Sequence, residues 1–316
     1  MRVAAIDVGT NTTRLLVAEE ASGGGASRPR YREIDRRLLY TRLGEGVDAV
    51  GRLGPEAVER TVRAIGELCA IAAELGAEEV RIAATSAARD ASNRHQLQEA
   101  VRAATESELA VLTGDEEARL SFAGATDELH PGRYLVCDIG GGSTELVVGE
   151  QGLDPETATS LDVGAVRLTE RCLRSDPPAP DQLQAMETAV DRALDHAETV
   201  LDRPGDAELV GLAGTLTTLA ALKSGLERYD SKRIHGTELT GEEVDRLYLR
   251  LAAMTLSQRR GLPVMPEGRA DIIVAGIAIL VRVMDRWSFP KVRVSEKDIL
   301  DGLVLQILGA PSEAWD

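Results

Sequence analysis

The chain has 316 residues, enough for two domains at roughly 100–200 residues each. Hydrophobic residues make up 43% but aromatics only 3%, so Leu, Val, Ile and Ala must fill the core. A formal net charge of −16 excludes the basic face of a general nucleic-acid binder and repels polyanions at long range, so a phosphate ligand needs local donors and a metal.

In chain order, Met1 to Asp7 reads as a strand that begins at once, with no secretory segment before it. Gly23 to Gly25 reads as a flexible turn between two strands. Pro55 to Leu75 is an amphipathic helix opened by Gly54 and Pro55. Val80 to Thr85 is a strand, followed by a polar turn through Ser86 and Arg89 and a helix from Arg94 to Thr105. Leu109 to Leu112 is a short strand, and Thr113 to about Leu129 a helix. Glu128 to Gly132 carries Pro131 and Gly132, which stop that helix and mark a domain boundary. The expected domains are 1–128 and 129–316.

A new strand runs from Tyr134 to Asp138. Pro177, Pro178 and Pro180 lie in a loop before a helix from Asp181 to Leu201. Leu209 to Leu212 is a strand that enters a Gly-containing turn and a helix. The last third is mostly helical, with a late strand near Val292 to Val294. Strands alternating with helices give an α/β fold. The most apolar run, Ile272 to Val281, is too short for the roughly 20 residues of a membrane span, so a cytoplasmic protein without a membrane partner is expected. Cys69, Cys137 and Cys172 are far apart and have neither zinc nor disulfide spacing, which predicts buried, reduced thiols. The four histidines show no metal spacing. His95, His130 and His196 read as surface residues and His235 as a structural or channel residue.

The most informative feature is a repeat. Asp7-Val-Gly-Thr-Asn-Thr-Thr-Arg-Leu-Leu-Val17 recurs 131 residues later as Asp138-Ile-Gly-Gly-Gly-Ser-Thr-Glu-Leu-Val-Val148. Each copy is a strand–turn–strand hairpin with an Asp at its entrance. Small residues let the backbone approach a phosphate so that successive N–H groups point into one concavity. The hydroxyls of Thr10, Thr12, Thr13, Ser143 and Thr144 add donors to those of Gly9, Asn11, Gly140, Gly141 and Gly142. The Asp at each strand end is placed to hold Mg2+, which takes one or two carboxylates together with waters and phosphate oxygens. Two such hairpins predict two duplicated domains facing a central cleft.

These motifs identify a resemblance. The first hairpin, Ala84-Thr-Ser-Ala-Ala-Arg89, Gly114-Asp-Glu-Glu-Ala-Arg-Leu120 and the second hairpin are similar to segments of the exopolyphosphatase/guanosine pentaphosphate phosphatase (Ppx/GppA) family. So are Asp162-Val-Gly-Ala-Val-Arg-Leu-Thr-Glu170, Gly211-Leu-Ala-Gly-Thr215, His235-Gly236 and Arg269-Ala-Asp-Ile-Ile-Val-Ala-Gly276. The match covers nearly the whole chain. Thr10 and Thr12 stand where the family usually has Ser, which keeps the hydroxyl. Val294 to Gly302 departs from a Gly- and Arg-containing version common in that family.

The resemblance implies two ribonuclease H-like domains of the actin-like ATPase superfamily, in the short form that lacks an added helical region. It also implies a Mg2+-assisted or other divalent-cation-assisted phosphohydrolase, with a homodimer as the expected assembly. A Glu of the Glu-Glu-Ala-Arg motif is then the general base, leaving Glu116 and Glu117 as candidates. Thr113 and Glu116 have capping-box spacing, which gives Glu116 a structural task and leaves Glu117 for the chemistry. Asp138 and Glu145 are assigned to the metal, with Asp7 contributing. Arg89 follows a strand's carboxyl end, where its fork suits bidentate phosphate binding. Arg14 serves either phosphate or a structural ion pair. Gly214 and Thr215 either bind an anion at a helix N-terminus or simply start that helix.

The expected substrate is inorganic polyphosphate, in short chains because acidity and a short chain disfavour long polymer contact. Guanosine pentaphosphate is the alternative, which would tie the protein to the stringent response. A sugar or acetate-type kinase of the same superfold and a non-hydrolytic polyphosphate or alarmone sensor are the competing classes. Intact Asp7, Glu117, Asp138 and Glu145 disfavour the sensor.

Overall fold

A strand whose residues are apolar on both sides must be covered on both faces, and the first strand shows how this is met. The computed structural model describes residues 1–21, 30–201, 204, 206–266 and 268–309, so the turn expected at Gly23 to Gly25 lies outside the described residues. Strand β1 (Arg2–Val8) buries Val3 to Val8. Ala4, Ile6 and Val8 join one core cluster, which contains Ile65, Leu68 and Ala72. Val3 and Ala5 join another, which contains Ile299, Leu300, Leu303 and Val304. Period-two alternation thus sends one strand's side chains into two separate cores.

After β1 come β2 (Thr12–Glu20), β3 (Tyr31–Tyr40), α1 (Val47–Val50), α2 (Pro55–Glu74), β4 (Glu79–Ala84), α3 (Ser86–Asp90), α4 (Arg94–Thr105), β5 (Leu109–Val111) and α5 (Gly114–Thr126). The sheet order is β3-β2-β1-β4-β5. The first three strands are antiparallel neighbours, and β4 and β5 run parallel to β1.

The second unit contains β6 (Arg133–Ile139), β7 (Thr144–Glu150), β8 (Thr157–Leu161), α6 (Ala165–Cys172), α7 (Pro180–Val200), β9 (Glu208–Leu212), α8 (Ala213–Lys223), α9 (Ser231–Ile234), β10 (Glu238–Thr240), α10 (Gly241–Ala252), α11 (Leu256–Arg260), α12 (Ile273–Trp287) and β11 (Lys291–Val294). Its sheet order, β10-β11-β9-β6-β7-β8, repeats the first sheet when read from β8 and adds β10 antiparallel at the far edge. The duplication read from the hairpins therefore extends to whole ribonuclease H-like sheets. Leu135, Cys137, Ile139, Leu146 and Val148 share a core with Met186, Val190 and Leu194 of α7 and with Ile273, Ile277 and Leu280 of α12.

The final helix, α13 (Ile299–Gly309), belongs with the first unit. The chain divides into Met1–Leu129 with Lys297–Asp316, and His130–Glu296, so the expected second domain of 129–316 differs at its far end. The reason is that α13 buries Ile299 to Leu305. A helix apolar on nearly all sides needs cover all round, and β1 and α5 supply it.

Two smaller expectations are corrected and one is given its bounds. Ser86 to Arg89 is a helical turn, α3, with the Arg89 N–H donating to the Thr85 carbonyl at 3.0 Å. The strand expected without bounds after Gly25 is β3, Tyr-Arg-Glu-Ile-Asp-Arg-Arg-Leu-Leu-Tyr, whose charges guard a sheet edge and break the alternation. Cys137 is buried, but Cys69 and Cys172 are only partly so; all three thiols are free.

The helices α5 and α13 meet through two glycines. A Cβ on Gly124 would lie 2.0 Å from the Asp298 carbonyl oxygen, and one on Gly302 would lie 2.1 Å from that of Leu120. Both obstacles are backbone and cannot swing aside. Gly124→Ala is therefore expected to cost about 1–3 kcal/mol through overpacking, or several degrees in the melting temperature of the first unit. Calorimetry that finds an unchanged melting temperature would refute this contact.

Candidate active site

Both hairpins are built to one plan. Asp7 lies opposite Arg14 across β1 and β2, and Asp138 lies opposite Glu145 across β6 and β7. The turns close identically, the Gly9 N–H donating to the Thr12 carbonyl at 2.9 Å and the Gly140 N–H to the Ser143 carbonyl at 3.0 Å. What differs is charge, a cation facing the first Asp and an anion facing the second.

In the first hairpin, the Arg14 Nε and Nη2 donate to Asp7 Oδ2 at 3.1 and 2.6 Å, while Nη1 donates to Asp298 Oδ2. Arg14 is thus held as an ion pair between two carboxylates, which answers the alternative left open for it. Asp7 is 4% exposed, and its Oδ1 is buried without a hydrogen-bond partner. Burial pushes the Asp7 carboxyl above the usual carboxylate range, against the opposing pull of Arg14. An orphaned carboxylate oxygen of this kind fits a cation, bound directly or through its water, and a bound cation would reverse the effect of burial.

The hydroxyls of this hairpin turn inward. Thr10 bonds the Ser86 hydroxyl at 2.8 Å and Thr13 that of Thr41 at 2.9 Å. Thr13 is fully buried, so its side chain is a brace and not a phosphate donor. Thr12 stays half-buried at the start of β2, and the Asn11 carbonyl accepts from the Arg42 N–H at 3.0 Å.

In the second hairpin, the Gly140 and Gly141 carbonyls accept from the N–H groups of Ala165 and Val166 at 2.9 and 2.8 Å. The Gly142 carbonyl accepts from the Arg167 Nε at 2.6 Å. Carbonyls drawn to one side leave the other side of the turn to N–H groups. Among the described residues, the amides of Gly141, Gly142 and Ser143 donate to no backbone carbonyl. Such successive amides suit an anion. Thr144 is fully buried and donates to the Val163 carbonyl at 2.6 Å, so it too is a brace. Asp138 is 8% exposed and Glu145 1%, and Ser160 on β8 donates to Glu145 Oε1 at 2.7 Å. Among the described residues no three His, Cys, Asp or Glu side chains form a metal cage. That is compatible with Mg2+, which keeps several waters and takes few protein ligands.

The motif from Thr113 to Leu120 folds as its spacing requires. The Glu116 N–H donates to Thr113 Oγ1 at 3.2 Å, and the Thr113 N–H donates to Glu116 Oε2 at 2.7 Å. This closes the capping box and commits the exposed Glu116 to the helix end. The next residue, Glu117, is 8% exposed, and its Oε2 accepts from the Arg89 Nη1 at 2.8 Å. Arg89 also donates to the Leu112 carbonyl at 3.1 Å. Two motifs read separately in the sequence, those of Arg89 and Glu117, meet in one ion pair.

At α8, Thr215 is fully buried, with its hydroxyl packed towards Gly276. Its side chain is part of the core and not an anion donor. Gly214 lies directly beneath the Arg269 guanidinium, where a Cβ would come within 1.9 Å of Nη2. Arg269 is a buried cation that sequence reasoning quoted within a motif but gave no role. Asp298 carried no local signal, because it pairs with Arg14 from the other end of the chain. His235 is structural, its Nδ1 accepting from the Glu296 N–H at 3.2 Å, and His95, His130 and His196 are exposed.

Residues 17–310 match the model of the Ppx/GppA phosphatase family. The chain is 41% identical to exopolyphosphatase 2 of Mycobacterium tuberculosis (strain ATCC 25618 / H37Rv), an alignment that covers 98% of this chain and 99% of that one. A crystal structure of an exopolyphosphatase from Cytophaga hutchinsonii superposes with a TM-score of 0.88 at 26% identity, covering 98% of both chains. The Aquifex aeolicus member of the Ppx/GppA family superposes with a TM-score of 0.81 at 29% identity, covering 98% of this chain and 97% of the other.

The capping box has a direct test. Thr113→Ala removes the cap acceptor at an exposed position and is expected to lower stability by about 0.5–2 kcal/mol. A thermal melt indistinguishable from wild type would show that the cap contributes nothing in solution.

Proposed function

The chain belongs to the Ppx/GppA phosphatase family, and from that premise we propose that it is an exopolyphosphatase releasing terminal orthophosphate from inorganic polyphosphate. The observation that carries the reading is the buried Glu117, held by Arg89 and spared from capping by Glu116. Glu117 orients a water and accepts its proton. The water oxygen bonds to the terminal phosphorus, the bridging P–O bond breaks, and the electron pair leaves on the shortened chain. The ion pair with Arg89 holds the Glu117 carboxylate in place. That suits a loose phosphoryl-transfer transition state, in which positioning matters more than proton abstraction.

The two hairpins divide the remaining work. Amides of Gly141, Gly142 and Ser143 bind phosphate oxygens, joined by the backbone of Gly9 to Thr12. Asp138 and Glu145 hold Mg2+, with Asp7 contributing. When bound, the ion neutralises charge on the phosphate oxygens. Arg89 supplies a phosphate contact from the fork that also holds Glu117. Guanosine pentaphosphate remains the alternative substrate. Preference for short chains, assembly as a homodimer and a cytoplasmic setting belong to the same proposal. The described residues contain no helix long and apolar enough to cross a membrane.

Phosphate release from short and long polyphosphate, guanosine pentaphosphate and ATP tests the substrate. Fastest turnover on short polyphosphate supports the reading; release confined to the guanine nucleotide transfers it to the alternative. Glu117→Gln should lower turnover about 100- to 10,000-fold with the chain still folded and binding substrate, at some cost in melting temperature because the mostly buried Arg89 loses its charged partner, and Glu116→Gln should spare most activity. The reverse pattern would move the base to Glu116.

The metal assignment makes a separate prediction. Asp138→Asn should raise the Mg2+ concentration needed for half-maximal activity. A superimposable Mg2+ titration removes Asp138 from the metal site.

A further inference from the structure

The Asp7–Arg14 pair does not stand alone. Asp298 immediately precedes α13, and its Oδ1 accepts from the Leu300 N–H at 3.0 Å, so it acts as an N-cap. Its other oxygen, Oδ2, takes the Arg14 Nη1. The same residue's N–H donates to Asp301 Oδ2 at 2.9 Å. Asp301 is fully buried and receives the Tyr31 hydroxyl and the Arg36 Nη2, the latter at 2.8 Å. Asp298 is therefore fixed by the start of a helix, by a buried carboxylate and by the tight approach of Gly124 to its own carbonyl. It cannot follow Arg14; Arg14 must come to it.

This fixes how Arg14 meets Asp7. With Nη1 committed to Asp298, only the Nε and Nη2 edge reaches Asp7, and both donate to Oδ2. The second oxygen, Oδ1, is left buried and without a partner. The three side chains carry a net charge of one negative unit. Without Asp298 the Asp7–Arg14 pair would be neutral. We propose that Asp298 is a positioning residue for the divalent cation, acting through Arg14 to hold Asp7 with Oδ1 presented to the ion. This rests on the assignment of Asp7 to the metal.

The test measures metal binding and not turnover, using Mn2+ on the full chain in the absence of substrate, read by electron paramagnetic resonance. Asp298→Asn keeps the cap, since Asn caps as well as Asp, and removes the charge that holds Arg14. The Mn2+ dissociation constant is expected to rise about three- to tenfold, within the range of coupling between contacting charged groups. In an Arg14→Gln background, the same substitution should change it less than about twofold, because the intermediary is gone. An equal loss in both backgrounds would show that Asp298 acts as a plain surface charge, and no loss in either would overturn the inference. Asp7→Asn separates the two levels. If it leaves Mn2+ affinity untouched, the metal assignment itself fails; if it weakens Mn2+ while Asp298→Asn does not, only the positioning role fails. Should Asp298→Asn fold poorly, Asp298→Ser, which also caps, takes its place in the same cycle.

Discussion

One guanidinium shared between two carboxylates from opposite ends of the chain governs the first hairpin. Arg14 is built into β2 directly across from Asp7, so the sheet alone fixes that partner. Asp298 arrives only after the chain has passed through the entire second unit. The geometry of Asp7 thus depends on α13 being docked, and α13 docks because its apolar surface is covered by β1 and α5. A charged contact in low dielectric is worth keeping only when its geometry is held by packing. The glycines at 124 and 302 supply that rigidity by bringing two helix backbones together. The same α5 carries Glu117 at its start, so the docking that positions Asp298 also braces the candidate base.

Duplication copied the hairpin but not its electrostatics. Opposite Asp7 stands Arg14; opposite Asp138 stands Glu145. Two carboxylates directly across an antiparallel pair repel each other, and burial adds to that penalty. Ser160 relieves part of it with a hydrogen bond to Glu145. The proposed divalent cation, which takes carboxylate oxygens, would add to that relief. The neighbouring Cys137 thiol registers the same field, being pushed up by burial and by both carboxylates. In the first copy Arg14 pairs with Asp7, whose Oδ1 stays buried without a hydrogen-bond partner.

Legibility in the sequence followed the range of each interaction. The capping box was readable because both partners lie within one helical turn, and the hairpins because the repeat fixes strand, turn and strand together. Pro55–Glu74 announced itself through its amphipathic pattern and a Pro at the first turn, whereas Pro180, read as the last residue of a loop, is the first residue of the helix Pro180–Val200. The edge strand β3 was legible only as the second arm of a turn, without bounds, since guarding an edge requires charges that erase the alternation. The hydroxyls of Thr13 and Thr144 were read as ligand donors, and Thr215 was left open between an anion site and a helix start, because residue type does not reveal direction. In the structure, Thr13 and Thr144 tie the hairpins to neighbouring loops, and Thr215 packs against α12.

Arg89 and Glu117 show how two individually weak signals become one strong feature. An Arg after a strand and a Glu in a first helical turn are each common on protein surfaces. Their ion pair is mostly buried, and the Arg also holds the Leu112 carbonyl at the end of β5, the strand leading into the helix that carries Glu117. The strand end, the helix start and the cation are therefore locked into one unit. A carboxylate held in this way has lost rotamer freedom before any substrate arrives, so orienting a water requires little further ordering. Such preorganisation accounts for a Glu sitting in a helix's first turn yet sheltered from solvent, next to a near-identical Glu that remains exposed and caps the helix.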